Sequence, residues 1–181
     1  MIGLDSAQAM LDQAAANVPE ASLSRGDLHQ LPIPDDAVDV ILCAFALTHV
    51  PDLGAALTEF VRVLRPGGHL VISDSRGLFG YLGAPVPVRT SNGEPGVLPH
   101  WNRLTSDYLA AALPLGLDVR RCVEPRRPTP LIDPDIGPAI EDLAAGDPPS
   151  IWLLHTFCPA ATNAAYRDNP AAIIWHFQLE R

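Results

Sequence analysis

Two aspartates and a histidine stand where side chains of their type could do chemistry. Asp5 closes the short apolar run MIGLD and precedes Ser6. A carboxylate at a strand end can accept two hydrogen bonds from the vicinal hydroxyls of a ribose. It can equally serve the start of a helix beside Ser6. Asp27 follows Gly26 in RGDL. Its carboxylate could accept from the exocyclic amine of an adenine while the Leu28 amide donates to a ring nitrogen; the competing reading is a plain Gly-Asp turn. His49, in FALTHVP, lies just past an apolar run. An imidazole there could act as a general base or touch a substrate, or it could cap or pack locally. His100 and Trp101 close a Gly- and Pro-rich stretch and read as anchors of a loop. Trp175 and Phe177 read as core.

Composition narrows the chemistry. The chain has 181 residues, 48% hydrophobic and 18% charged, which is globular and enough for one domain with a sizeable core. The net charge of −9 argues against nucleic acid, whose phosphates call for clustered bases. All 12 basic residues are arginine. The absence of lysine excludes a Schiff base and the lysine of a Walker phosphate loop. Cys43, Cys122 and Cys158 form no CxxC pair, so neither a disulfide framework nor a metal centre is expected. No signal peptide or span-length apolar run is visible. The expectation is a cytoplasmic protein with no membrane partner.

These residues need elements to hold them. The stretch from Asp52 to Asp74, DLGAALTEFVRVLRPGGHLVISD, predicts a helix capped by Asp52, with Leu53, Ala56, Leu57, Phe60, Val61 and Leu64 on one face. Glu59, Arg62 and Arg65 fall on its polar side. Pro66 stops it, Gly67 and Gly68 offer positive φ angles for a reversal, and Leu70 to Ile72 read as a buried strand. Upstream, the spacing predicts a strand over 1–5, a helix capped by Ser6, a weak strand over 21–24, a loop over 31–36 and a strong buried strand over 38–44. The first 74 residues therefore alternate as a parallel α/β sheet, whose ligands sit beyond the carboxyl ends of the strands. Downstream, residues 75–103 read as a long loop or lid. A helix over 105–113 with Thr105 as cap, ended by Gly116, leads to a strand over 117–123. A connector over 125–134 and a helical insertion over 134–168 precede a last strand over 171–179 in which Ile173, Trp175, Phe177 and Leu179 alternate with polar or half-polar positions.

The ordered series of acid-ended strand, helix, GDL, LPIPDDAVDVILCAFALTHVPD and helix-LRPGG-strand resembles the class I S-adenosylmethionine-dependent methyltransferases of small-molecule type. The likeness is close over residues 1–74 and loose beyond. It implies a single Rossmann-like domain over 1–181, a three-layer α-β-α fold with a mostly parallel sheet and an antiparallel final strand. It implies S-adenosylmethionine as cofactor, held by Asp5, Ser6, Gly26, Asp27, Leu28, Cys43, Ala44 and Phe45. Asp5 would take the ribose, Asp27 and Leu28 the adenine, and residues 43–45 the methionine portion, with His49 as the catalytic candidate near the cleft and a small-molecule methyl acceptor as partner. One departure stands at the front. The family's first strand and Gly-rich loop should precede the Asp5 strand, and neither is found, so a gap in the sheet is expected. A truncated front, a relative that no longer binds the cofactor, and a strand from a second copy or another protein would each account for it. The second function on this reading is a non-catalytic methyltransferase-like domain forming a homodimer. A nicotinamide-binding oxidoreductase is a minor third, since no G-x-G-x-x-G is present.

Overall fold

Residues 38–75 form the unit on which the rest is arranged. Strand β3 (Val38–Ala44), helix α2 (Leu53–Val63) and strand β4 (Leu64–Ser75) follow one another, and β4 lies parallel to β3. The computed structural model describes residues 1–76, 86–89, 92–126, 169, 170 and 172–180. Asp52 caps α2 as expected, its Oδ1 accepting from the Ala55 amide at 3.0 Å. Leu53, Ala56, Leu57, Phe60 and Val63 are buried on the face turned to the sheet. This apolar stripe, not intrinsic propensity, stabilises an eleven-residue helix.

The Pro-Gly-Gly segment differs from expectation. It belongs to β4, which begins at Leu64, and a register shift between Val38 and Val40 absorbs the irregularity. Gly67 alone has a positive φ, of 80°. Gly68 is needed for room: a Cβ there would lie 2.8 Å from the Arg65 carbonyl oxygen and 3.1 Å from that of Asp39. Glu59 and Arg62 also do more than face solvent. Arg62 donates to the carbonyls of Leu31 and Ile33 and to Asp35 and Glu59, and Glu59 accepts from the Leu31 amide. The two side chains clasp the 31–36 loop onto α2.

Strand β8 (Ala172–Leu179) runs antiparallel between β4 and β7 (Leu117–Val123), giving the order β3-β4-β8-β7. Ile173, Trp175 and Phe177 are buried, with the Trp175 and Phe177 rings stacked at 5.3 Å. Helix α3 (Thr105–Ala112) packs beside α2. Its N-cap is Leu104, not Thr105; Asp107 accepts from the Leu104 amide at 2.7 Å, and the Thr105 hydroxyl accepts from Arg76. Gly116, with φ of 75°, ends the following short 3-10 turn as expected.

Strands β1 (Ile2–Asp5) and β2 (Ser22–Arg25) form a separate parallel pair, joined by α1 (Gln8–Asn17). The N-cap of α1 is Ala7, not Ser6, and within the helix only Leu11 is buried; Met10 is 52% exposed. Between β4 and α3, β5 (Val86–Arg89) and β6 (Pro95–Leu98) form an antiparallel hairpin where a loop was expected. The helical insertion over 134–168, Cys158 and most of the 125–134 connector lie outside the described residues. No helix among the described residues is long and apolar enough to cross a membrane.

The sheet is interrupted. Among the described residues β1 pairs with β2 alone and β3 with β4 alone. β3 is consequently not the fully buried strand its composition suggested: Val40 is 60% and Leu42 73% exposed. Its apolar residues on the α2 side are covered, and Cys43 is buried.

Candidate functional site

The facing edges of β1 and β3 enclose a cavity of about 740 Å³, lined along its length by Ile2 to Leu4 and Val38 to Leu42. At the carboxyl ends of those strands the lining is Asp5, Cys43, Ala44, Ala46 and Leu28. Four of the eight expected cofactor residues, Asp5, Leu28, Cys43 and Ala44, are thus brought to one cavity from three chain segments. Ser6, Gly26, Asp27 and Phe45 are adjacent in sequence and do not line it.

Each acid has a local duty. Asp5 Oδ1 accepts from the Ala7 amide at 2.8 Å, so it does serve the start of α1; no bond to Oδ2 is formed among the described residues. Ser6 offers its carbonyl to Arg25 Nε at 2.9 Å, tying the end of β1 to the end of β2. The Gly26 amide donates to the Asp5 carbonyl at 3.1 Å. Asp27 makes the turn: Oδ1 accepts from the His29 amide and lies 2.9 Å from His29 Nδ1. These contacts, the amide first, hold its carboxyl below the usual carboxylate range.

Cys43 is a buried thiol. Burial, with Asp74 nearby, pushes its thiol up to about 11, so it stays protonated as a small apolar surface. Phe45 has φ of 52° and is 51% exposed, while its amide donates to the Ser73 carbonyl at 2.8 Å. A left-handed conformation at a non-glycine residue is costly, and here the end of β4 imposes it.

A second cluster lies where β3 and β4 end. Its base is Asp74, 2% exposed, which accepts from the Ser75 amide at 2.8 Å and from the Tyr108 hydroxyl at 2.5 Å. Above it, Thr48 Oγ1 is 3.3 Å from Ser75 Oγ and 3.0 Å from His100 Nδ1, with His100 Nε2 at 3.3 Å. The Trp101 amide donates to the Thr48 carbonyl at 2.9 Å, and Arg103 donates to the Val50 carbonyl. The segment after β6 is therefore stapled to the 3-10 turn Leu47–His49, as the anchoring reading of His100 and Trp101 expected. His49 joins it: its Nδ1 lies 2.9 Å from the Pro99 carbonyl oxygen. A carbonyl can only accept, so Nδ1 carries the hydrogen and, in the neutral ring, Nε2 holds the lone pair.

Thr48, Ser75, Asp74 and Tyr108 were not singled out as functional residues from the sequence. Thr48 had a signal, its place beside His49 in FALTHVP. The Asp74–Tyr108 pair spans 34 residues and had none beyond the rule that a buried carboxylate needs a partner. Among the described residues no group of three or more His, Cys, Asp or Glu could hold a metal ion.

Residues 1–72 match the family model described as a methyltransferase domain. A malonyl-[acyl-carrier protein] O-methyltransferase of Yersinia pestis is 42% identical over 73 residues, 40% of this chain and 27% of that protein. A probable S-adenosylmethionine-dependent methyltransferase of Mycolicibacterium smegmatis is 37% identical over 73 residues, 40% of this chain and 28% of its own length. The chain thus spans little more than a quarter of the length of either relative. In structure, the chain is similar to an S-adenosylmethionine-dependent methyltransferase from Mesorhizobium loti, with a TM-score of 0.62 and 20% identity over 98% of this chain and 79% of that one.

Proposed function

We propose that the chain, whose residues 1–72 match the methyltransferase-domain model, is a class I S-adenosylmethionine-dependent methyltransferase that binds S-adenosylmethionine at the carboxyl ends of β1 and β3 and serves methyl transfer to a small molecule. The observation that carries this is the convergence of Asp5, Leu28, Cys43 and Ala44 on one cavity. The residues present fit the cofactor. Asp5 has an oxygen to spare for ribose hydroxyls, Leu28 offers an apolar side chain and an amide for a purine, and the neutral thiol of Cys43 adds no charge beside a cationic ligand. Asp27 and Phe45 flank this set on the strand ends. S-adenosylmethionine, when bound, supplies an electrophilic methyl group on a sulfonium centre. The chain's contribution is then alignment and exclusion of water. On this reading His49, whose Nδ1 is held by the Pro99 carbonyl, would receive the acceptor's proton at Nε2. One relative is a malonyl-[acyl-carrier protein] O-methyltransferase; a metabolite acceptor suits an acidic chain better than nucleic acid does.

A second reading is favoured by the slot itself. Two facing strand edges whose outer backbone groups have no strand partner among the described residues invite a strand from another chain. A non-catalytic domain that dimerises through the slot would bury both edges. Calorimetric titration with S-adenosylhomocysteine, paired with light scattering, separates the two. Micromolar binding supports the enzyme reading. A folded dimer that gives no heat at millimolar ligand overturns it in favour of the second.

A further inference from the structure

The sheet β3-β4-β8-β7 carries a pair of histidines that the site above does not use. Residues opposite one another across strands share a face, and so do residues two apart along a strand. His69 stands opposite Val40, Val71 opposite Leu42, and His176 opposite Val71. These side chains therefore lie on the face away from α2, since Leu70, Ile72, Trp175 and Phe177 between them are buried with the α2 residues. Val40 and Leu42 on the same face are 60% and 73% exposed. There His176 Nε2 is 3.0 Å from His69 Nδ1, with the ring centroids 5.0 Å apart. We propose that the two imidazoles form a chelating pair for a divalent transition-metal ion of the nickel(II) or copper(II) type. The site goes beyond the methyl-transfer reading and does not depend on it.

The argument begins with distance. With metal–nitrogen bonds of about 2.0–2.1 Å, two ligand nitrogens at a right angle are roughly 2.9 Å apart, and two at a tetrahedral angle roughly 3.3 Å. The observed 3.0 Å is nearer the first. Right-angled sites suit the square-planar or tetragonal geometry of copper(II) and nickel(II) with nitrogen ligands. Magnesium and calcium seek oxygen ligands and are not matched by two imidazoles. Both rings stand on β4 and β8, the two inner strands of the four, so ladder hydrogen bonds on either side hold their backbones in place. A pair positioned in this way has little left to reorganise when an ion arrives.

A neutral imidazole has one N–H and one lone pair. In the contact between the two neutral rings, one facing nitrogen carries the hydrogen and the other accepts it. Among the described residues the outer nitrogens, His69 Nε2 and His176 Nδ1, have no hydrogen-bond partner, so neither tautomer is locked. On binding, the donor ring moves its hydrogen through water to its outer nitrogen. Both facing lone pairs then reach the ion, and no proton is gained or lost overall. The neighbours on this face are otherwise engaged or open to water. Gln178, opposite His69, accepts from Arg120 Nε and donates to the Gly67 carbonyl, both at 2.9 Å. Arg121, opposite His176, is exposed, and solvent and salt screen its charge. Among the described residues no third His, Cys, Asp or Glu joins the pair, so water fills the remaining positions on the ion.

The test titrates the full chain, carrying no added histidine tag, with nickel(II) alone. Calorimetry gives the affinity, and histidine ring NMR gives the place. Of the six histidines, His69 and His176 are expected to lose their ring signals to the paramagnetic ion together and ahead of the other four. His69→Gln and His176→Gln each identify one of the two signals. Each is expected to weaken nickel binding roughly tenfold or more, because the second bond of a chelate forms within one molecule. Nickel should raise the Tm of the parent and not of either variant, since the ion binds the folded state. The remaining histidine signals and the Tm without metal report whether each variant is folded, and magnesium at equal concentration should move no ring signal. Equal nickel affinity in the parent and either folded variant, or loss of all six signals at the same millimolar concentration, would mean an adventitious ion only and would overturn the site.

Discussion

Asp5→Ala is expected to lower affinity for S-adenosylhomocysteine at least a hundredfold. The carboxylate would lose two charge-assisted hydrogen bonds to the ribose hydroxyls, each contributing about 1.5–3 kcal/mol. At about 1.4 kcal/mol per decade the sum is two decades or more. The same substitution removes the acceptor that Asp5 Oδ1 provides to the Ala7 amide, at a cost of about 1 kcal/mol in stability. Asp5→Asn separates the two effects. An amide oxygen can still accept from Ala7, so thermal stability should be close to that of the parent, while affinity falls because the charge is gone. Calorimetry and thermal melts on the three proteins check this. Unchanged affinity in Asp5→Ala would refute the ribose assignment.

Tyr108→Phe is expected to cost about 2 kcal/mol, because it strips a fully buried carboxylate of one of its hydrogen bonds. The Tyr108 hydroxyl is 2.5 Å from Asp74 Oδ2, and both residues are at most 2% exposed. For a domain of this size that cost corresponds to a drop of about 4–8 °C in Tm. The pH dependence gives a second signature. Burial first, and then the charge and hydrogen bond of Asp74, hold the Tyr108 phenol far above its ordinary range. The folded state therefore prefers the neutral phenol. Its stabilisation is complete below the unfolded value near 10 and is lost as pH rises past it. The parent should lose Tm more steeply than Tyr108→Phe between about pH 9.5 and 11. Parallel Tm curves would show that the hydroxyl is not buried against Asp74.

The order of elements was legible because each is a local signal. The apolar stripe of α2, the cap at Asp52, the alternation in β8 and the glycine stop at Gly116 need only a few neighbouring residues to be read. The strand β3 was located to the residue, yet its burial was misjudged: Val40 and Leu42 are exposed, and among the described residues β3 pairs with β4 alone. Composition reports that a residue would gain from burial, not that a partner is there to supply it. Similarly, LRPGG carried the right residues with a wrong division of labour. Gly67 supplies the positive φ and Gly68 the clearance under the Arg65 carbonyl. The expected caps Ser6 and Thr105 each fell one residue from the observed N-caps, Ala7 and Leu104, whose amides donate to Asp5 and Asp107.

The site was legible in part. Asp5, Leu28, Cys43 and Ala44 meet at one cavity, which the α/β rule on strand ends anticipates. The bonds from Thr48 to His100, from His49 to Pro99 and from Asp74 to Tyr108 span 34 to 52 residues. No local pattern encodes contacts of that range; they appear only once the segment after β6 is folded onto the strand ends.

The measurement that bears most directly on the cofactor site is backbone amide NMR of the full chain titrated with S-adenosylhomocysteine. The amides of Asp5, Leu28, Cys43, Ala44 and Phe45 should shift together and saturate at one affinity, with those of β7 and β8 unmoved. Shifts confined to β7 and β8, or none at millimolar ligand in a folded sample, would contradict the assignment.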